Sequence, residues 1–337
     1  MPSLGPQSRP DRYAGCLIGQ CVGDALGFIV EGMQPEECAE YVDQHVRPIS
    51  LKGLMRGPFR VGQYSDDSQL ARELMQSFVD RGGFDVVDYA RRIAALFLEN
   101  RIVGRGRATE QAAARLEGGI PWHEAGTPSP AAGNGSAMRA GPVGLFCMDF
   151  EELVQIAHDQ GRMTHQDPRC SAGAVAIAGA VALSLKADKI VVADTCNALA
   201  ELCQRFDPIL AIGLQQLPSW LELPLSDVVD LVKEMGLSPD YGQDWPGISP
   251  FVTVSVLWSV YAFLRSPEDY LEAICTAISV GGDVDTTAAM TGAISGAYLG
   301  VAAIPNELTE IINDQGSWTY PDLVDLAHQV YEITTNA

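Results

Sequence analysis

Two pairs of carboxylates stand out in this chain of 337 residues. Asp66 and Asp67 follow Ser65 in "GQYSDDSQLARELM", and Asp283 and Asp285 follow a glycine pair in "GGDVDTTAAMTGAISGAYLG". Each cluster opens a segment with helical character. One acid or hydroxyl there is an ordinary helix cap, and acids in a first turn suit the helix dipole. A second acid has no such duty. Asp285 leads straight into a charge-free run whose composition implies burial, and a buried carboxylate requires a cation or dense hydrogen bonding. No lysine or arginine adjoins either pair in sequence. Four carboxylates with the hydroxyls of Ser65 and Thr286 form an all-oxygen donor set, which suits magnesium or manganese rather than zinc or copper. If the clusters meet in space the pattern is a two-metal site; if they do not, it is two capped helices.

Two further segments have the character of ligand loops. "PAAGNGSAMRAGPVGL" reads as a Gly-Asn-Gly turn running into an apolar helix, with Arg139 near its start. Amides at a helix start can hold a phosphate, aided by a guanidinium, although Asn-Gly is also a general turn signal. "RMTHQDPRC" places His165 just before a small-residue segment. A histidine there is more often a capping or hydrogen-bonding group than a catalyst.

These groups need a scaffold, and helical periodicity supplies it. "DSQLARELMQSFVD", "DVVDYARRIAALFLEN", "FEELVQIAHDQ", "IVVADTCNALAELCQRF", "LSDVVDLVKEM" and "YPDLVDLAHQVYEI" repeat apolar residues at three- and four-residue intervals. "RGGF", "EGGIPW", "AGTPSPAAGNG" and "LSPDYGQDWPGISP" read as loops between them. No strand-like alternation is long enough for a sheet, and no fixed-period repeat is present. Small residues recur every fourth position at Gly19, Gly23 and Gly27, at Ala172, Ala176 and Ala180, and at Gly292, Gly296 and Gly300. That spacing puts each set on one helix face and predicts close backbone approach in a central layer. The expectation is an all-α fold in one domain over residues 12–335, with residues 1–11 a flexible N-terminus. The segment after about Leu308 reads as amphipathic helix without chemistry.

Composition narrows the function. The formal net charge of -21 argues against nucleic acid or an anionic membrane surface as partner. An anionic small ligand would need local attraction from a metal, an arginine or a helix start. The start of the chain lacks the basic-then-apolar pattern of a secretory signal. The apolar runs "SAGAVAIAGAVALSL" and "TTAAMTGAISGAYLGVAAI" are short for a bilayer span and read as buried helices. Eight scattered cysteines without a CxxC pair read as buried thiols of a reducing compartment. A cytoplasmic enzyme is expected, with no stable protein partner.

Taken together the motifs resemble the ADP-ribosylglycohydrolase family. "GDALGFIVE" ending at Glu31, "SDDSQ" (Ser65 to Gln69), "GNGSAMR" (Gly133 to Arg139), Thr164 with His165, and "GGDVDTTAAMTGAISGAYLG" occur in that family's order and rough spacing, from about Gly15 to Gly300. The resemblance implies an orthogonal all-α bundle with two Mg2+ (or Mn2+) ions in a cleft. It implies metal ligands at Ser65, Asp66, Asp67, Asp283, Asp285 and Thr286, and catalytic roles for Glu31, Asp66, Asp67 and Asp283. Glu31 would stand beside the distal ribose. Gly133, Asn134 and Gly135 would cradle the ADP-ribose diphosphate, Ser136, Met138 and Arg139 would complete that segment, and His165 would lie near the same ligand. The implied reaction is hydrolysis of the glycosidic bond between ADP-ribose and an acceptor, either a protein side chain or a small molecule. Alternatives are a hydrolase of O-acyl-ADP-ribose or another nucleotide-sugar conjugate, and a non-catalytic ADP-ribose-binding or crystallin-like relative. The sequence departs from the family's pattern in three places. Ser65 stands where threonine is frequent. Ala131 stands two positions before the Gly-Asn-Gly turn, where some members acting on protein serine carry a serine. The loop "NRIVGRGRAT" holds Arg101, Arg105 and Arg107 where arginine-directed members carry an acid, so it suits an anionic ligand better than a guanidinium.

Overall fold

The computed structural model describes residues 10–147, 149–236 and 245–336. Helices dominate, as the periodicity predicts, and the fold is all-α. The main ones are α1 (Pro10–Phe28), α2 (Asp66–Arg81), α3 (Arg107–Glu117), α4 (Phe150–Arg162), α5 (Pro168–Lys186), α6 (Val252–Arg265), α7 (Val284–Leu299) and α8 (Tyr320–Asn336). One element was not foreseen, a two-stranded antiparallel hairpin pairing Met55–Arg56 with Phe59–Arg60. Its strands are two residues long, below what alternation can reveal. The first nine residues of the expected flexible N-terminus lie outside the described residues, as does part of "LSPDYGQDWPGISP"; Pro10 and Asp11 already belong to α1.

The centre is the antiparallel pair α1 and α7, both buried along almost their whole length. Two of the small-residue stripes interlock there. A Cβ on Gly19 would lie 2.3 Å from the Gly292 carbonyl oxygen, and one on Gly23 would lie 2.1 Å from that of Ala288. Gly15 meets Gly296 in the same way, at 2.2 Å. Backbone therefore touches backbone, and any side chain at these positions would force the helices apart. The stripe on α7 corrects one expectation: Gly300 ends the helix at φ +83° instead of continuing its face, and Gly15 completes the contact. α5 packs against α7 and α6 and buries Ala172, Ala176 and Ala180. By length and composition α5 could cross a membrane, but 83% of its most apolar stretch is buried inside the protein. All eight cysteines are free and buried.

This pairing has a consequence for chemistry. Because α1 and α7 run antiparallel, the C-terminal end of α1, with Asp24, lies against the N-terminal end of α7, with Asp285. The chain then leaves α1 through Glu31 and stays beside α7. The amide of Gly32 donates to the Gly282 carbonyl (2.8 Å) and that of Gly282 donates to Met33 (3.2 Å). Gly281 and Gly282 adopt φ of +72° and +87°. A Cβ at Gly282 would stand 2.2 Å from the Ile248 carbonyl oxygen, so only glycine lets the loop pass there.

Candidate active site

Ser65 is the N-cap of α2: its hydroxyl oxygen accepts from the Asp67 amide at 3.3 Å. Asp24 strengthens this start from α1, its two oxygens accepting from the amides of Ser65 (2.8 Å) and Ser68 (3.0 Å). With the first turn satisfied in this way, the carboxylates of Asp66 and Asp67 have no capping duty, and both line a cavity of about 640 Å³. The Ser65 hydroxyl donates to Asp67 Oδ2 at 2.9 Å, while Asp67 Oδ1 is buried with no hydrogen-bond partner. The second cluster behaves likewise. Asp283 occupies the N-cap position of α7 but makes no side-chain cap; its Oδ2 accepts from Asn134 Nδ2 at 2.5 Å. Asp285 Oδ1 accepts from the Thr286 amide at 2.8 Å. Capping does not account for either pair.

The two pairs meet. Oxygens of Asp24, Asp67 and Asp285 lie within 4.8 Å of one another, as do oxygens of Glu31, Asp283 and Asp285. Asp66, Asp67, Asp283, Asp285, Thr286 and Glu31 all face the one cavity. Among the described residues no lysine or arginine forms an ion pair with Asp24, Asp66, Asp67, Asp283 or Asp285. Burial pushes the Asp283 carboxyl up to about 8, helped by the charges of Glu31 and Asp67. Burial also lifts Asp67 to about 6, against the Ser65 and Thr286 hydroxyls, which lower it. Asp24, Asp66 and Asp285 are held well above the usual carboxylate range, first by burial and then by neighbouring negative charge. So many buried acids cannot be ionised side by side without a counter-charge. A bare, partnerless oxygen at Asp67 within this all-oxygen set fits divalent cations.

Glu31 is fixed differently. Arg56, from the hairpin, pairs with Glu31 Oε2 at 2.8 Å and donates to the carbonyls of Phe28 (2.6 Å) and Glu31 (3.1 Å). The hairpin thus holds this carboxylate at the cavity edge.

The Gly-Asn-Gly segment lies on the same cavity but is built otherwise than expected. Asn134–Ser136 is a single 3-10 turn, and the next helix is only Val143–Phe146. Gly133, Asn134, Gly135 and Met138 line the cavity. Ser136 and Arg139 do not. The Ser136 hydroxyl donates to the Cys170 carbonyl (2.9 Å). The fully buried Arg139 donates to Gln160 Oε1 (2.8 Å), the Gln160 carbonyl (2.7 Å) and Thr164 Oγ1 (2.7 Å). Its guanidinium buttresses the wall from behind instead of reaching a ligand. His165, which shares a hydrogen bond with Thr164 Oγ1 (2.9 Å), lines the cavity beside Gly135. A Cβ at Gly135 would fall 2.7 Å from His165 Cε1, which explains the glycine. Burial and the nearby Arg139 hold His165 down at about 3, so it presents a neutral ring.

The profile of the family described as ADP-ribosylglycohydrolase matches residues 5–337. The chain belongs to the ADP-ribosylglycohydrolase family. Among members of known sequence it is 28% identical to an ADP-ribosylhydrolase ARH3 of Gallus gallus, over 88% of this chain and 87% of that one. It is also 28% identical to the ADP-ribosyl-[dinitrogen reductase] glycohydrolase of Rhodospirillum rubrum, covering 88% of each. A solved structure titled "ADP-ribosylglycohydrolase-related protein complex" superimposes with a TM-score of 0.72 at 25% identity, covering 98% of this chain and all of that one. Within this family fold the acids stand out from sequence, but several cavity residues do not. Asp24, which lies behind Asp67 and Asp285 and not on the cavity wall, gives one faint signal, an acid in the glycine-rich second half of α1. Gly104, Gly106, Thr109, Thr127 and Trp245 reach the cavity from loops and a helix start and carry no pattern of their own.

Proposed function

We propose that the protein is a divalent-metal-dependent hydrolase of ADP-ribosyl conjugates. The observation that carries this reading is the meeting of two sequence-distant acid pairs on one cavity without basic partners. Ser65, Asp66, Asp67, Asp283, Asp285 and Thr286 would hold two magnesium or manganese ions. Asp24, whose oxygens both accept backbone amides, would support the α2 start beneath them. When bound, the ions would keep the carboxylates ionised and supply positive charge for orienting ribose hydroxyls and a water. Glu31, steadied by Arg56, would accept a hydrogen bond from the distal ribose and fix the sugar's orientation. A carboxylate of the Asp66–Asp67 pair would take the proton of the attacking water and return it to the acceptor atom as that atom's bond to the anomeric carbon breaks. The oxocarbenium charge developing on the sugar would be favoured beside the remaining acids. Gly133, Asn134 and Gly135 would form the wall along the diphosphate, and the neutral ring of His165 would pack beside it. The eight buried free thiols fit action in a reducing, cytoplasmic compartment.

Incubation with arginine-, serine- and acetyl-linked ADP-ribose tests the reading. Free ADP-ribose should appear from at least one of them in the presence of Mg2+ or Mn2+. Asp283→Asn should lower that rate at least about a hundredfold and abolish the rise in melting temperature on adding metal. Tight ADP-ribose binding with release from none of the conjugates would instead identify a binding protein.

A further inference from the structure

The loop over residues 101–107 forms one side of the cavity mouth, and it is firmly held. Gln69, one turn along α2 from Asp66, accepts from the Val103 amide (2.8 Å) and donates to the Arg101 carbonyl (3.0 Å). Gly104 then sits directly on the acid site: at φ +74°, a Cβ there would lie 2.6 Å from Asp66 Oδ1. The basic side chains of this loop differ in their engagement. Arg101 pairs with Glu99 (2.6 Å). Arg105 pairs with Glu110 (2.9 Å), donates to Asn100 and lies over the Phe97 ring. Arg107, the first residue of α3, is exposed and lines the cavity, and no acid or ring among the described residues engages it. In a chain with 43 acids against 22 basic residues, an unpaired guanidinium at the rim of an acidic cavity is a conspicuous local charge.

We propose that Arg107 is a specificity residue that selects ADP-ribosyl conjugates whose acceptor carries an anionic group beside the cleaved bond. This rests on the hydrolase reading above and adds the class of acceptor to it. The chain's overall charge repels an acidic acceptor at long range, so such a substrate needs a local cation. Arg107 provides one on a rim whose position is set by Gln69 and by the contact of Gly104 with Asp66. A lysine-rich or arginine acceptor would meet the same guanidinium with like charge and be disfavoured.

For whichever linkage the protein cleaves, two ADP-ribosylated peptides are compared that differ only in Glu or Lys beside the acceptor residue. The wild type should favour the Glu peptide in kcat/KM, and the preference should shrink as salt is raised. Arg107→Ala should reduce the Glu-to-Lys ratio about fivefold, the scale of an exposed ion pair. Arg107→Glu should invert it, and Arg107→Lys should largely restore it. An unchanged ratio in Arg107→Ala overturns the inference alone. So does a parallel loss of affinity for free ADP-ribose, which would assign the guanidinium to the diphosphate. Cleavage of neither peptide, nor of any linkage, overturns the hydrolase reading and this inference with it.

Discussion

At the scale of single residues the buried acids decide behaviour. A carboxyl raised by burial keeps its proton in the folded protein at a pH where the unfolded chain has lost it. Folding then binds protons, and stability falls as pH rises from the unfolded value through the folded one. For Asp283 that window runs from 3.8 to about 8. His165 works in the opposite sense: held at about 3, it costs stability only below its unfolded value of 6.5. Between about pH 6.5 and 8 the acids therefore act unopposed by it. In chelator, the unfolding free energy should fall across that interval by roughly 1 kcal/mol per pH unit for each carboxyl still protonated, and the melting temperature should fall with it. Millimolar Mn2+ or Mg2+ should raise the curve and flatten it, because the ions take the place of the protons. A flat chelated curve, read by calorimetry across the same interval, would show that these acids are not raised.

At the scale of elements the α1–α7 contact sets the register of the site. Gly296→Ala would place a methyl carbon 1.9 Å from the Gly15 carbonyl oxygen, so the helices must separate. The expected cost is about 3 kcal/mol or more, measured as a shift of the denaturation midpoint, together with weaker metal stabilisation as the acids drift apart. Gly83→Ala is the matched control; nothing lies within 4 Å of its would-be Cβ, and its effect should stay within about 0.5 kcal/mol. The hairpin acts on the site in a narrower way. Arg56→Ala should leave the fold intact but free Glu31, raising KM for an ADP-ribosyl conjugate more than it lowers kcat.

At the scale of the whole molecule, the C-terminal segment is tied to the site in a way its sequence does not suggest. Asp314 accepts from Arg72 (2.7 Å) and from Gln69 (2.8 Å), both on α2. Gln315 donates to the Arg101 carbonyl (2.8 Å). Residues beyond Leu308, read from sequence as helix without chemistry, thus brace the helix of Asp66 and Asp67 and the cavity loop. Asp314→Ala would leave the fully buried Arg72 guanidinium with less counter-charge, costing about 3–5 kcal/mol in chemical denaturation. Asp314→Asn, which retains acceptor geometry, should cost less.

Sequence alone determined the helical class and most of the close-packing stripes, and it singled out the acid pairs that the fold brings onto one cavity. These follow from short-range rules: period, spacing, and the improbability of four carboxylates where two caps suffice. Sequence could not tell that Asp24 would take over the capping of α2, or that Arg139 would turn away from the cavity into Gln160 and Thr164. It did not tell that Arg56 and Asp314 would meet the site from elsewhere in the chain. Each of these is a contact between segments that only the folded chain brings together. Contacts between segments tens to hundreds of residues apart leave no periodic trace in the residues that make them. Only the folded arrangement decided which acids line the cavity and which basic residue stands unpaired beside them.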